Sequence, residues 1–162
     1  MTPDSARKRR AAPPHSGLTW NTVAECEHFF LARHVSHDIL RVTRISDAYP
    51  DVQSLGKAHD WLLKQFEAFD RPKVVLVWDG RRGKLRNDPE FERAMARYLP
   101  LVTSGWREFI SLNNTPVVKV QFFRWNQERI SSPIRAFNDE REAFEHALDV
   151  SAGRSPARSP TR

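Results

Sequence analysis

The run Lys73–Trp78 reads Lys-Val-Val-Leu-Val-Trp, with a single charge at its start. A short, unbroken apolar run of this kind suits a strand buried on both faces, as in a parallel sheet covered by helices. What flanks it agrees. Upstream, Val52, Leu55, His59, Leu62, Leu63, Phe66 and Phe69 recur at intervals of three and four, the period of an amphipathic helix. Downstream, Asp88-Pro89 is a helix start, because Asp accepts free backbone N–H bonds and Pro at the first position has none to satisfy. Phe91, Met95, Tyr98, Leu99 and Val102 then mark one helical face. Pro100 is expected to kink or break the last turn, and Gly105 to close it.

The same reading extends in both directions. His28–Val35 and Ile39–Ile45, joined by Ser36-His37-Asp38, read as a β-hairpin. Trp106–Leu112 and Ile134–Phe137 read as further strands. Val117–Trp125 follows a Thr115-Pro116 helix start, although its Val and Phe content favours a strand. Asp139 and Glu142 form a capping box before Ala143, Phe144, Ala147 and Leu148. The expected order is β-β-α-β-α-β-α-β-α, which implies right-handed crossovers and a mostly parallel sheet.

Charge locates the domain within the 162 residues. The net charge is +6, but residues 1–17 and 150–162 carry +3 each, which leaves residues 18–149 neutral. Both ends are rich in Pro and basic residues, and the second repeats Arg-Ser-Pro at Arg154 and Arg158. Residues 1–17 and 150–162 are therefore expected to be disordered basic tails around one domain. A folded nucleic-acid binder usually carries its basic face on the domain itself. Nucleic-acid binding is thus expected only through the tails, salt-sensitively. The single cysteine, Cys26, excludes an internal disulfide. No apolar stretch is long enough to span a bilayer, and Arg7–Arg10 is not followed by a signal-peptide core. The expectation is a cytoplasmic protein.

The hairpin followed by β–α units resembles the STAS / SpoIIAA-like family of anti-sigma factor antagonists and transporter regulatory domains. The features that carry the resemblance are the apolar strand ending in Asp79, the helix opening at Asn87-Asp88-Pro89-Glu90-Phe91-Glu92, the segment Thr115 to Arg124 with Gln121, and Phe137-Asn138-Asp139-Glu140 before an Ala-bearing helix. They span roughly residues 27–149. The resemblance implies an α/β fold with an N-terminal β-hairpin, four β–α units and a mostly parallel sheet. It also implies a regulatory or interaction module rather than an enzyme. One departure is plain. The antagonists carry a phosphorylatable Ser close behind an Asp in the loop after the third strand, and here Asp79–Asn87 has no Ser or Thr. The phosphoswitch does not carry over.

That loop is the candidate site. Arg81, Arg82, Lys84 and Arg86 lie within six positions, just before a helix N-terminus whose dipole favours anions. Asp79, Asn87 and Asp88 complete the set. The loop would bind a small anionic ligand or a protein partner, or would be a solvated charged loop paired to nearby Asp and Glu. A small nucleotide- or phosphate-binding enzyme using the same loop is the alternative function. Named motifs argue against it. Gly80 and Gly83 are too close for a P-loop, and Lys84 is followed by Leu85. An aspartate-nucleophile pattern would need a second Asp where Arg81 stands. No cofactor motif is present. His28, His34 and His37 lack the carboxylate or Cys spacing of a metal set and read as ordinary surface histidines. Trp78 and Trp106 read as core. If Val117–Trp125 is a helix, Val120 and Phe123 fall opposite its main stripe. They are then the candidate contacts for a homodimer or protein partner.

Overall fold

The computed structural model describes residues 19–84, 86–114 and 134–154. Six strands form one sheet in sequential order: β1 (Trp20–Glu25), β2 (Phe29–His34), β3 (Ile39–Arg44), β4 (Val75–Asp79), β5 (Glu108–Leu112) and β6 (Ile134–Phe137). β1, β2 and β3 form an antiparallel meander, and β3 through β6 pair in parallel. The helices are α1 (Val52–Phe66), α2 (Pro89–Thr103) and α3 (Glu140–Ser151), with a 3-10 turn at Arg71–Lys73. This is the α/β architecture, with β–α units on a mostly parallel sheet, that the STAS-like resemblance implies. The N-terminal hairpin is present as β2–β3, but an outer strand precedes it. β1 is largely exposed and has a register shift between Thr22 and Ala24, so it lacks the apolar alternation that marks a strand in sequence.

β4 is the centre of the packing. Leu76 faces a core shared with Leu40, Val42 and Phe109 under α1 and α2, while Val75 and Val77 face a second core with Ile39, Ile110 and Leu112 under α3. Each fully buried side chain of this size contributes about 1.5–3 kcal/mol, and β4 draws on both cores.

Each helix begins at an aspartate cap, Asp88 and Asp139 as expected from the sequence and Asp51 in addition. Asp51 accepts from Ser54 N at 2.7 Å, Asp88 from Phe91 N at 3.1 Å and Asp139 from Glu142 N at 2.9 Å. α2 runs through Pro100 to Thr103 instead of breaking there. Its end is held from outside, because Arg71 Nη1 donates to the carbonyls of Leu101 and Ser104 and the guanidinium lies over Trp106. Gly105 then turns the chain at φ 85°, a left-handed conformation that a side chain would strain. α3 extends through Val150 and Ser151, past the expected start of the second tail. Val117–Trp125 lies outside the described residues.

The α1 stripe carries one polar group inward. His59 is 1% exposed, donates through Nδ1 to the Leu55 carbonyl at 2.9 Å, and stacks on Tyr98 with ring centroids 5.1 Å apart. Burial pulls its pKa down to about 4, so it folds neutral. The unfolded chain takes up a proton on this residue near pH 6.5 and the folded chain only near 4. Its contribution is therefore complete above pH 6.5 and is lost as the pH falls toward 4. Relative to His59→Gln, the wild-type chain should lose about 3 kcal/mol between pH 7 and pH 4 in urea unfolding. Parallel pH profiles for the two chains would contradict a buried neutral His59.

Candidate functional site

The last residue of β4 and the first residue of α3 are both acidic, and two arginines close on them. Asp79 is 4% exposed and lies on the α3 face of the sheet beside Arg41, which is 3% exposed. Arg41 Nη2 donates to Asp79 Oδ2 at 2.6 Å. Arg81 reaches back in a fork, with Nε to Asp79 Oδ1 at 2.8 Å and Nη2 to Asp79 Oδ2 at 2.7 Å. Glu140 completes the group, 3.2 Å from Arg41 Nη1 and 2.8 Å from Arg81 Nη2. Two cations and two anions thus form a closed quartet tying β3, β4, the β4–α2 loop and α3 together. Phe144 covers it from α3, with the Arg41 guanidinium 5.2 Å from its ring centroid.

The electrostatics follow from the contacts. Burial acts to raise the Asp79 pKa, but the hydrogen bonds and charges of Arg81 and Arg41 outweigh it and hold the carboxyl below its usual range. The hydrogen bond to Asp79 in turn raises Arg81. A carboxylate with both oxygens engaged and a lowered pKa is a poor base or nucleophile. Where an aspartate-nucleophile pattern would put a second Asp, this chain has the arginine that closes on the first.

The other predicted site residues divide by exposure. Arg82 is exposed and pairs through Nε with Asp47 at 3.0 Å. Lys84 is exposed, and its backbone N–H donates to the Asp47 carbonyl. Arg86 is half-buried. Its Nε donates to Asp88 Oδ2 at 2.8 Å, and its guanidinium lies over Phe91. Asn87 is exposed. Asp88 spends its other oxygen on the α2 N-cap, and Glu90 and Glu92 follow in the first turn. The loop cations are therefore largely matched by the chain's own carboxylates, and the start of α2 is already capped by one. Val120 and Phe123 lie outside the described residues.

The sequence reading missed Arg41, Arg44, Asp47 and Glu140. An arginine inside an otherwise apolar strand was the available signal for Arg41 and Arg44. The histidines are a correction. His28 and His34 are buried rather than on the surface, because both lie on inward positions around β2. His28 Nδ1 is hydrogen-bonded to Ser46 Oγ at 2.7 Å, and the His34 and His37 rings are 4.9 Å apart. Trp106 is core as expected, and Trp78 is half-buried against the same core.

Fold and site together define a class: an α/β domain in which an antiparallel meander leads into a parallel sheet, and the central strand ends in a largely buried ion-pair quartet. No protein-family model and no curated protein matches the chain. Among solved structures, the fold is similar to that of an uncharacterised protein from the DUF3478 family, described as having a SpoIIAA-like fold, from Shewanella loihica PV-4. The two share 10% identity at a TM-score of 0.47, over 85% of this chain and 99% of the other. A likeness at that score adds no weight of its own, and the fold class rests on this chain's strand order and pairing. No helix among the described residues is long and apolar enough to cross a membrane.

The quartet and the surface pair should behave differently on substitution. Arg41→Met leaves the buried Asp79 and the half-buried Glu140 short of a cation and should cost about 3–5 kcal/mol. Arg82→Ala, which opens an exposed pair, should cost about 0–1 kcal/mol. Urea unfolding of the two variants measures both, and equal small effects would reduce the quartet to the rank of a surface pair.

Proposed function

We propose that this protein is a non-enzymatic regulatory or interaction module that binds a protein partner through the outer surface of the β4–α2 loop. Arg82 and Lys84 are the contacts to carboxylates on that partner. The observation that carries this reading is the division of labour within the loop. Arg81 turns inward and anchors the loop to Asp79 and Glu140, while Arg82 and Lys84 stand exposed on the anchored backbone. A loop already held in place loses little conformational freedom on binding, so more of the contact energy appears as affinity. The Arg82–Asp47 pair is a surface pair of small net value, so Arg82 can exchange Asp47 for a partner's carboxylate at little cost. The engagement of both Asp79 oxygens supports a binding role over a catalytic one.

The test is affinity capture from the native cell with the full chain as bait, followed by titration calorimetry with the purified captured protein. Arg82→Glu combined with Lys84→Glu should weaken binding at least tenfold while leaving the melting temperature within a few degrees, since both side chains are exposed. Undiminished affinity in that variant would overturn the proposed surface.

A further inference from the structure

β3 carries two buried arginines, three residues apart and on opposite faces of the sheet. Arg41 meets two carboxylates, Asp79 and Glu140. Arg44, the last residue of the strand, is 6% exposed and forms no ion pair among the described residues. Among the described residues its side chain donates from Nε to the Ser46 carbonyl at 2.9 Å. The guanidinium lies over the Tyr49 ring, 3.5 Å from its centroid, with Phe29 at 5.5 Å. Asp47, the nearest acidic residue in sequence, is turned outward to Arg82.

We propose that Arg44 anchors a binding site for a small oxyanion, a carboxylate or phosphate group, at the carboxyl end of β3 beneath the β4–α2 loop. Three observations carry this assignment. A buried charge is costly unless it is paired, and among the described residues Arg41 has two carboxylates in ion-pair contact while Arg44 has none. The donors left over are also the right ones. Nε is engaged and the ring below fixes the plane, so Nη1 and Nη2 remain as an end-on fork, the geometry that matches two oxygens of a carboxylate or phosphate. The surroundings complete an anion's environment. His28, hydrogen-bonded to Ser46, lies close enough for Arg44 to lower its pKa further after burial has done so. Gly83 brings the loop backbone over the arginine stem, where an added Cβ would meet Arg44 Cγ at 3.5 Å. Burial lowers Arg44 itself to about 10, with Cys26 and Asp47 acting weakly in the opposite sense. Ligands of open α/β sheets bind at the carboxyl ends of the strands, which is where this arginine stands.

The proposal does not depend on the outer surface of the loop, and the experiment separates the two. The full chain is titrated with inorganic phosphate and, separately, with succinate, at ionic strength held constant with chloride. Melting temperature and the Arg44 Nε–Hε resonance are followed. At saturation, at least one anion should raise the melting temperature by about 5 °C and move the Arg44 resonance along a saturating curve. Phosphate alone, or succinate alone, assigns the ligand's acidic group. Arg44→Met should abolish the thermal shift, and Arg82→Glu with Lys84→Glu should keep it. Neither anion acting on the wild-type chain would overturn the site, as would an equal thermal shift in Arg44→Met. If Arg44→Met does not fold, the resonance in the wild-type chain decides alone: a static Arg44 signal overturns the proposal.

Discussion

The quartet of Arg41, Asp79, Arg81 and Glu140 is the constraint around which the carboxyl edge of the sheet is built. Arg41 and Asp79 are shielded from water, which costs several kcal/mol for each ion, while Arg81 and Glu140 are half-buried. They are tolerated because their charges sum to zero and their hydrogen bonds are short. The arrangement explains why an otherwise apolar strand ends in Asp79, why the next loop doubles back at Arg81, and why α3 opens with Glu140. Each residue is positioned by a different element. A shift of α3 against the sheet, or of the loop against β4, would leave a buried charge short of a partner. The quartet thus joins β3, β4, the β4–α2 loop and α3 through charge as well as through apolar packing.

The opposite face of the same edge is built on different physics. Between the sheet and α1 and α2 lie Phe29, Tyr49, His59 and Tyr98, with ring centroids 5.1–5.8 Å apart in the His59 pairs. Tyr98 carries its hydroxyl out to Asp60 at 2.9 Å. Burial keeps His59 neutral there, and the nearby charge of Arg44 acts in the same sense. Two cations on this side, Arg44 over Tyr49 and Arg71 over Trp106, lie against π faces. A cation–π contact offsets only part of a guanidinium's lost hydration, about 2 kcal/mol or somewhat more when desolvated. That shortfall sets Arg44 apart from Arg41.

The fold was largely legible because its signals are local. The α1 stripe, the Lys73–Trp78 run and the Asp88-Pro89 and Asp139 caps each sit within a few residues, and each marks the element observed. β1 was not legible. Asn21, Thr22 and Val23 are exposed at the sheet's edge, and an edge strand with little to bury leaves no period to read. The site was legible only as a place. Asp79 and Arg81 could be singled out, but the Asp79 partner on β3 is 38 residues away and the Arg81 partner on α3 is 59 away. Nothing in the spacing links them. The loop's charge count pointed to an anion, whereas Asp47, Asp79, Asp88 and Glu140 answer most of it from within the chain. Arg44, which has no ion pair among the described residues, read only as one residue of a strand.

The loop from Asp79 to Asn87 carries no hydroxyl side chain. In the antagonists that the sequence resembles, a phosphorylatable Ser close behind an Asp lets the loop's charge be switched. Here the position two residues after Asp79 is Arg81, forked onto the carboxylate in front of it. A loop of that kind has its charge fixed by the fold, and adding negative charge beside Asp79 would compete for the arginine that holds the quartet closed. On this edge of the sheet Arg82 and Lys84 stand exposed on the outside, Arg82 paired to Asp47, and Arg44 lies beneath. Through Gly83, the loop bearing the first two passes over the stem of the third, so an anion at Arg44 would stiffen the backbone from which the outer cations project.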